Sequence, residues 1–412
     1  MRIAICGRRL ACLIAVALDL VLAPFAARAD ASFTKWLESL YPAAQQLGIS
    51  RATFDAATRG LEPDLSLPDL VIPGRVDRQP AQAEFVQTPA EYLKESLFTS
   101  LAAQGRTLAA QHRATLAAIE QRFGVPGPIV LAIWARETNY GTAKLPYSAI
   151  RALATQAYLG RRKEQFREEL LLALKMLEEG HVTLANMRSS WAGAMGQPQL
   201  LPSGFYKYAI DFDGDRKRDI WTSVPDVLGT IANHLVELGW QRGMRWGYEV
   251  RTPREIDCTI AQPDVKATIG EWLQRGYVLA RGARLSAAEL AQDASLLMPA
   301  GPYGPAFLVT KNYFVLKDYN YSDLYVLFVG HLADRIAGAP PFEQSWGKVA
   351  QLASSALERM QRELTRRGFY TDKIDGKAGM LTRAALGAYQ KANGLKLDCW
   401  PSQAVLDHMQ AK

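Results

Sequence analysis

Ala132-Ile-Trp-Ala-Arg-Glu-Thr-Asn-Tyr-Gly141 places one carboxylate, Glu137, at the end of an otherwise apolar helical stretch. In a helix, apolar and aromatic residues lie one turn before and one turn after this glutamate. Desolvation of that kind raises a carboxyl pKa and suits the group to general acid catalysis near neutral pH. The alternative is a glutamate that is exposed or paired with an arginine such as Arg136, because structural ion pairs outnumber catalytic acids.

The spacing of apolar residues predicts a mainly α-helical chain. Helical periodicity covers most of residues 31–124, except for the segment 63–89, which is rich in Pro, Asp and Gln and is predicted to be extended. Pro128 starts the helix that carries Glu137, and Gly141 is its predicted stop. Further helices are predicted at 151–159, 163–179 and 224–238, and strands mainly near 248–251 and 313–316.

The N-terminus has the pattern of a secretory signal peptide, predicted to span residues 1–29. A basic start precedes an apolar run over residues 10–25, and Ala27-Arg-Ala29 forms a small-x-small cleavage site. A membrane anchor is the alternative, but the run is short for a bilayer span and contains Asp19. We therefore predict an exported, soluble protein with no stable membrane insertion.

Charge, histidines and cysteines exclude some classes of function and leave one question open. The formal charge is +7, of which the leader contributes four Arg against one Asp, so +4 remains without it, and this mild basic excess suits an anionic polymer. No stripe of Lys and Arg interleaved with aromatic residues indicates nucleic acid. The five histidines form no metal-ligand pattern such as H-E-x-x-H, so a zinc site is not expected. Outside the leader, Cys258 and Cys399 either form a disulfide or remain two distant thiols.

A second cluster of functional character is Ser189-Ser-Trp-Ala-Gly-Ala-Met-Gly-Gln-Pro-Gln-Leu-Leu-Pro-Ser203. Its small residues would let the backbone approach a ligand closely, and Gln197 and Gln199 supply amides beside an aromatic plate, as sugar binding requires. The alternative is a packing contact of a helix that is rich in Gly and Ala.

These two segments, followed by Tyr319-Asn-Tyr-Ser-Asp-Leu-Tyr325, resemble the membrane-bound lytic transglycosylase B family in content and order. The resemblance covers nearly all of residues 33–336. It implies a lysozyme-like helical catalytic domain with few short strands, which cleaves the β-1,4 bond between N-acetylmuramic acid and N-acetylglucosamine in peptidoglycan. In that reaction the muramyl 6-hydroxyl attacks the anomeric carbon, no water is consumed and no cofactor is required, and a periplasmic location follows.

The resemblance also assigns roles to individual residues. Glu137 matches the single carboxyl that acts first as acid and then as base, without the second carboxylate that retaining glycosidases use. Substrate-binding positions are matched by Ser190, Gln199, Asn320, Tyr325 and Tyr140. Ala135 and Pro198 depart from the family pattern. Two rivals remain: a hydrolase of the same bond, and a wall-binding protein without activity.

Asp211-Phe-Asp-Gly-Asp-Arg-Lys-Arg-Asp-Ile-Trp221 spaces its acidic residues like an EF-hand calcium loop. Arg216 stands where the standard loop has Gly, and Thr222 stands where it has its bidentate Glu. Asp226 could supply the missing carboxylate from a longer loop, residues 211–226. The hypothesis is a structural calcium on Asp211, Asp213, Asp215 and Asp226, and the alternative is an Asp-rich turn that caps the next helix.

The C-terminal segment resembles a three-helix peptidoglycan-binding domain. Gly338 to Gly347 contains the predicted linker, so the predicted organisation is a catalytic domain at 30–338, a linker at 339–347 and a binding domain at 348–412. Within the tail, residues 374–386 and 397–406 form a weak repeat, each an Asp-containing turn before a helix capped by Thr or Ser. Cys399 replaces a Gly in the second half. The expected partner is the glycan strand; a helical cap that only stabilises the catalytic domain is the alternative.

Overall fold

The structure, a computed structural model, describes residues 32–75 and 83–411. The predicted signal peptide lies outside these residues. Helices dominate the described chain: α1 (32–38), α2 (Tyr41–Gln46), α3 (Arg51–Thr58), α4 (Ala83–Val86), α5 (Pro89–Tyr92), α6 (Glu95–Gln111), α7 (Arg113–Phe123), α8 (Gly127–Thr138), α9 (Ala149–Leu159), α10 (Lys163–Glu178), α11 (Pro202–Tyr208), α12 (Val224–Glu237), α13 (Ile269–Gln274), α14 (Ala287–Leu290), α15 (Lys311–Tyr319), α16 (Asp323–Ile336), α17 (Ser354–Arg366), α18 (Met380–Ala392) and α19 (Gln403–Gln410).

The strands are short: β1 (Tyr147–Ser148), β2 (Arg188–Ser189), β3 (Gly247–Arg251), β4 (Lys266–Thr268), β5 (Val278–Leu279), β6 (Asp293–Leu297), β7 (Pro299–Pro302) and β8 (Ala306–Val309). Single turns of 3-10 helix occur at Cys258–Ile260 and Ala280–Gly282. Among the described helices, none is by itself long and apolar enough to cross a membrane. Helices α7 and α8 pass that test by length and composition only as a pair, and they are bent by 110° at the break between them.

The chain divides into two compact units. The first contains the described residues of Met1–Arg78 together with Tyr147–Gly193. Here α9 packs against α10, and the hydroxyl of Ser148 caps α9 by accepting the backbone N–H of Arg151. Strands β1 and β2 pair antiparallel, with Tyr147 opposite Ser189.

The second unit contains the described residues of Gln79–Pro146 and Ala194–Lys412 and is built around α8. Every residue of α8 from Ile129 to Ala135 is buried, as expected of a helix that is apolar on all sides. Helices α6, α12 and α16 pack around it. The partly exposed residues that follow, Arg136 and Glu137, lie where the helix approaches its end.

A five-stranded antiparallel sheet, in the order β4-β6-β8-β3-β5, forms a further part of this unit. Of its strands the sequence predicted only β3. Leu296 in β6 pairs with Leu308 in β8, and both strands are short and almost wholly buried, so they lack the alternation of burial that marks a half-exposed strand. The strand predicted at 313–316 is wrong. These residues belong to α15, which starts where the hydroxyl of Thr310 accepts the N–H of Asn312. Burial of this Tyr-Phe-Val-Leu run against other helices outweighs its preference for strands.

Three helices, α17 to α19, form the C-terminal bundle, and residues such as Met360, Leu386 and Tyr389 form its core.

Cys258 and Cys399 are joined by a disulfide across 141 residues, which answers the question that spacing left open. Cys399 has φ 52°, the left-handed conformation that its Gly counterpart would adopt freely. The predicted Ser cap is present at Ser402, whereas Thr382 lies inside α18, because Gly379 occupies the start of that helix.

Candidate active site

A tight turn after α8 presents Glu137. The helix ends at Thr138, earlier than the predicted stop at Gly141, because Asn139 and Tyr140 both have left-handed backbones, with φ 48° and 57°. A left-handed tyrosine is uncommon and is held here by its surroundings. Its hydroxyl donates to the carbonyl of Leu101 at 2.8 Å, and its ring packs edge-on against Trp134.

A tyrosine on α16 is a hydrogen-bond partner of Glu137. The hydroxyl of Tyr325 donates to Oε1 of Glu137 at 2.5 Å, and the ring of Tyr325 stacks on that of Tyr319, with 6.3 Å between centroids. Burial, followed by the charge of Glu137, raises the pKa of both tyrosines well above the usual value. Tyr325 therefore keeps its proton and acts as a hydrogen-bond donor to the carboxylate.

Gln197 ties one loop of the second unit, the segment from Ala194 to the start of α11, to helix α8. Its amide oxygen accepts the indole N–H of Trp134 at 2.7 Å, and its amide nitrogen donates to the carbonyl of Trp221 at 2.7 Å. Its own carbonyl accepts the hydroxyl of Thr138 at 3.0 Å. A β-carbon at Gly141, where φ is 78°, would overlap the Gln197 amide. Gln197 is therefore a structural link beside Glu137, and its amide is not presented as the sugar-binding group that the sequence suggested.

Three predicted site residues share the second unit with Glu137 and Tyr325. Gln199 has φ 56° and turns its amide nitrogen onto the carbonyl of Gly196 at 2.9 Å. Asn320 ends α15 and accepts the N–H of Ser322 at 3.2 Å. Both are partly exposed. Tyr140 is only 5% exposed, so its predicted contact with substrate is not supported by its position in the core.

Ser190 belongs to the first unit, where its hydroxyl accepts the N–H of Ala192 at 3.3 Å and its carbonyl accepts that of Gly193. Its predicted role in substrate binding stays a prediction.

One aromatic group beside the site was missed by the sequence reasoning. His234 on α12 lies between the rings of Tyr208 and Tyr319, with centroids 3.7 and 4.4 Å away. Burial, together with the positive charge of Lys207, lowers the pKa of His234 to about 4. The imidazole is therefore neutral near pH 7 and supports the Tyr319 ring. Its position on the buried face of an amphipathic helix was the sequence feature that could have indicated a buried histidine.

The predicted calcium ligands do converge. Carboxylate oxygens of Asp211, Asp213, Asp215 and Asp226 all lie within 4.8 Å of one another, which fits oxygens placed around one Ca²⁺ at about 2.4 Å. Arg216, at the position of the standard glycine, has φ 71° and so adopts the glycine-like conformation.

Asp226 is fully buried and accepts the backbone N–H groups of Phe212, Asp213 and Asp219. Burial, opposed by these hydrogen bonds, raises its pKa, and the charge of Asp213 adds to the increase. A divalent cation would relieve this repulsion, so the donor set fits calcium.

The C-terminal bundle repeats one polar motif in its two turns. The amide oxygen of Gln361 accepts the N–H groups of Asp375 and Gly376, and the amide oxygen of Gln390 accepts those of Asp398 and Cys399. Each glutamine also donates to the aspartate of its turn. The weak sequence repeat thus corresponds to a repeated turn that is fixed from the preceding helix.

Comparison with known proteins shows to which family this chain belongs. Residues 32–334 match the transglycosylase SLT domain, and residues 353–409 match the putative peptidoglycan binding domain. The structure of SltB3 from Pseudomonas aeruginosa in complex with NAG-NAM-pentapeptide is 38% identical with a TM-score of 0.82, over 92% of this chain and 99% of that one. The chain therefore belongs to the family of transglycosylases with an SLT domain, as its three motifs predicted. The predicted fold class, mainly α with a lysozyme-like catalytic part and a C-terminal three-helix domain, is confirmed.

Two further relatives come from Escherichia coli. Membrane-bound lytic murein transglycosylase B of strain K12 is 37% identical over 124 residues, which are 30% of this chain and 34% of that protein; the match spans about a third of the relative's length. The lytic transglycosylase Slt35, solved in complex with calcium, is 27% identical with a TM-score of 0.53, over 62% of this chain and 80% of that one.

Proposed function

We propose that this protein is a lytic transglycosylase that cleaves the β-1,4 bond between N-acetylmuramic acid and N-acetylglucosamine and leaves 1,6-anhydromuramic acid ends. The observation that carries the proposal is the hydrogen bond from Tyr325 to Glu137 at the end of a buried helix, in a chain of the SLT family. The complexes of SltB3 with NAG-NAM-pentapeptide and with NAG-anhNAM-pentapeptide support the same substrate and product class.

Glu137 does both proton transfers in the proposed reaction. Its carboxyl first gives a proton to the glycosidic oxygen while the bond from that oxygen to the anomeric carbon breaks. The resulting carboxylate then takes the proton of the muramyl 6-hydroxyl as this oxygen bonds to the anomeric carbon. The N-acetyl group of the substrate is expected to stabilise the developing positive charge in place of a second carboxylate. Tyr325 holds the carboxyl in one orientation throughout.

Substrate positioning is assigned to Ser190, Gln199 and Asn320. The support is their match to the family motifs and, for Gln199 and Asn320, partial exposure within the unit that holds Glu137. Tyr140 instead supports the turn that follows the acid, because its hydroxyl is engaged by Leu101 in the core.

The finer predictions on organisation belong to the same proposal. A signal peptide cleaved near Ala29 would deliver the enzyme to the periplasm, where its polymer lies. Domain limits of 30–338 and 348–412 are part of the proposal, and the family matches at 32–334 and 353–409 support them. A calcium ion on the Asp211 to Asp226 loop would be structural, and the calcium complex of Slt35 supports its chemical class.

The deciding experiment is digestion of purified peptidoglycan by the protein and by its Glu137→Gln variant, followed by mass spectrometry of the released muropeptides. We expect products lighter than hydrolytic ones by one water, and none from the variant, because an amide keeps the shape but cannot shuttle the proton. Glu164→Gln, at a side chain that is 86% exposed, is the matched control and should leave release unchanged. Reducing ends would indicate a hydrolase, and sedimentation with the wall but no release by either protein would indicate a wall-binding protein.

A further inference from the structure

We propose that Arg383, on the C-terminal bundle, is a positioning residue for the catalytic acid, acting through Asp323 and Tyr325; the proposal rests on the function proposed above. Nη2 of Arg383 donates to Oδ2 of Asp323 at 2.8 Å. The two side chains are 8% and 7% exposed, so this is a buried ion pair between the bundle and the catalytic part. Nη1 of the same guanidinium donates to the carbonyl of Ala378 in the bundle, which fixes the bridge at its other end.

Asp323 is held from both of its oxygens. Oδ1 accepts the ammonium of Lys317 at 2.5 Å and the hydroxyl of Tyr313 at 2.6 Å, both on α15. Arg383 engages the other oxygen. Burial alone would raise the pKa of Asp323, but the charges of Lys317 and Arg383 hold it well below its usual value. The carboxylate is therefore charged at working pH, and its orientation depends on donors from two different parts of the chain.

Asp323 is also the first residue of the helix that carries Tyr325. The hydroxyl of Ser322 caps this first turn by accepting the N–H of Tyr325 at 3.4 Å. Two residues beyond Asp323, the Tyr325 side chain reaches Glu137. A change in the position of Asp323 is thus transmitted within one helical turn to the donor that orients the acid. The C-terminal bundle would then contribute to catalysis by fixing this turn, apart from any binding of the wall.

Loss of Arg383 should not release the bundle, because other connections hold it. The disulfide from Cys258 to Cys399 joins it covalently to the sheet region, and Lys391 pairs with Asp257 at 2.7 Å. Tyr303 donates to Asp398 at 2.8 Å. These contacts make it possible to remove the buried charge while the bundle stays docked.

The test compares kcat and KM on a soluble glycan fragment for the wild-type protein, Arg383→Met, Arg383→Lys and Lys391→Met. We expect Arg383→Met to lower kcat about tenfold with KM within about twofold, because misplacing a catalytic group by a fraction of an ångström slows the chemical step more than binding. Arg383→Lys, which keeps the charge, should recover part of kcat. Lys391→Met breaks a mainly exposed ion pair of the same bundle and should change neither parameter.

A double variant separates positioning from general loosening of the structure. In a Tyr325→Phe background, Arg383→Met should lower kcat by less than about twofold, because the group through which Arg383 acts is already gone. An unchanged kcat in Arg383→Met, or a full tenfold loss that persists in the Tyr325→Phe background, would overturn the proposal. If Arg383→Met does not fold, the same comparison of kcat is made with Asp323→Asn in the wild-type protein and in the Tyr325→Phe background. A wild-type protein without lytic activity would instead contradict the proposed function.

Discussion

The hydroxyl of Tyr325 reaches Oε1 of Glu137 at 2.5 Å across 188 residues of sequence. The donor is buried and keeps its proton, so Tyr325→Phe removes one hydrogen bond to the acid and little else. We expect kcat to fall by about ten- to a hundredfold with KM nearly unchanged, because a carboxyl that has lost its orienting hydrogen bond is misplaced for the chemical step. Tyr248→Phe is the matched control, since this buried tyrosine also donates to a carboxylate, Glu289, at 3.2 Å. Equal activity of both variants would contradict the role of Tyr325.

Variants at Gln197 and Gln199 should have different effects, the first on stability and the second on substrate binding. Gln197→Leu leaves the N–H of Trp134 and the carbonyl of Trp221 without their partner, which should lower the free energy of unfolding by about 2 kcal/mol. Gln199→Asn keeps an amide that tolerates a left-handed backbone but shortens its reach, so it should raise KM with little loss of stability. Urea unfolding and steady-state kinetics of the two variants test this. A stability loss confined to Gln199→Asn would reverse the assignment.

Calcium should stabilise the native protein through the four aspartates. Ion binding to the folded state raises the melting temperature with concentration, and at one hundred times Kd it contributes about 2.7 kcal/mol. EDTA should reverse the shift. In Asp226→Asn the response to calcium should be lost, because the buried ligand and its charge are weakened. Asp372→Asn, an exposed aspartate outside the cluster, should retain it. No shift in the wild-type protein would leave the loop as an Asp-rich turn.

Acid should weaken the fold through its buried histidines. Burial lowers the pKa of His234 to about 4, so between pH 6.5 and pH 4 the unfolded chain binds a proton that the native state does not. The free energy of unfolding therefore has its full value above pH 6.5 and falls as the pH drops through this window. The loss due to His234 is about 2 kcal/mol between pH 7.5 and pH 5.

His234→Phe should therefore show a smaller loss of unfolding free energy over that range, measured by urea titration at each pH. His331, whose pKa burial lowers to about 3, remains in the variant and keeps part of the slope, which provides an internal reference. An identical pH dependence in the variant would contradict the assignment to His234.

Local patterns in the sequence account for most of the predicted helices and for the choice of Glu137 as the candidate acid, a role that the family resemblance then assigned to it. Apolar residues on all sides of α8 required a buried helix, and Glu137 was the one carboxylate in that stretch. Alternating aspartates indicated the convergent oxygens of Asp211, Asp213 and Asp215, because side chains so close in sequence meet within one turn; the fourth oxygen comes from Asp226 on α12. These features depend on residues near one another in the chain.

The same local reasoning failed where distant packing decided the structure. Residues 313–316 have the composition of a strand but form part of α15, since their burial against other helices outweighs intrinsic preference. Tyr140 was matched to a substrate-binding position, and in the structure it is a core residue whose ring packs against Trp134 and whose hydroxyl donates to the carbonyl of Leu101.

By itself the sequence determined the helical class, the place of the candidate acid Glu137, the acidic loop and the repeated turns of the tail, because hydrophobic periodicity and short-range side-chain chemistry specify them. Only the tertiary structure decided that the Tyr325 hydroxyl donates to Glu137, that Gln197 joins two tryptophans and that Cys258 meets Cys399. The ion pair between Arg383 and Asp323 is another contact that only the tertiary structure revealed. Such contacts join residues tens to hundreds of positions apart, and their geometry is set by how whole helices pack, which no local pattern specifies.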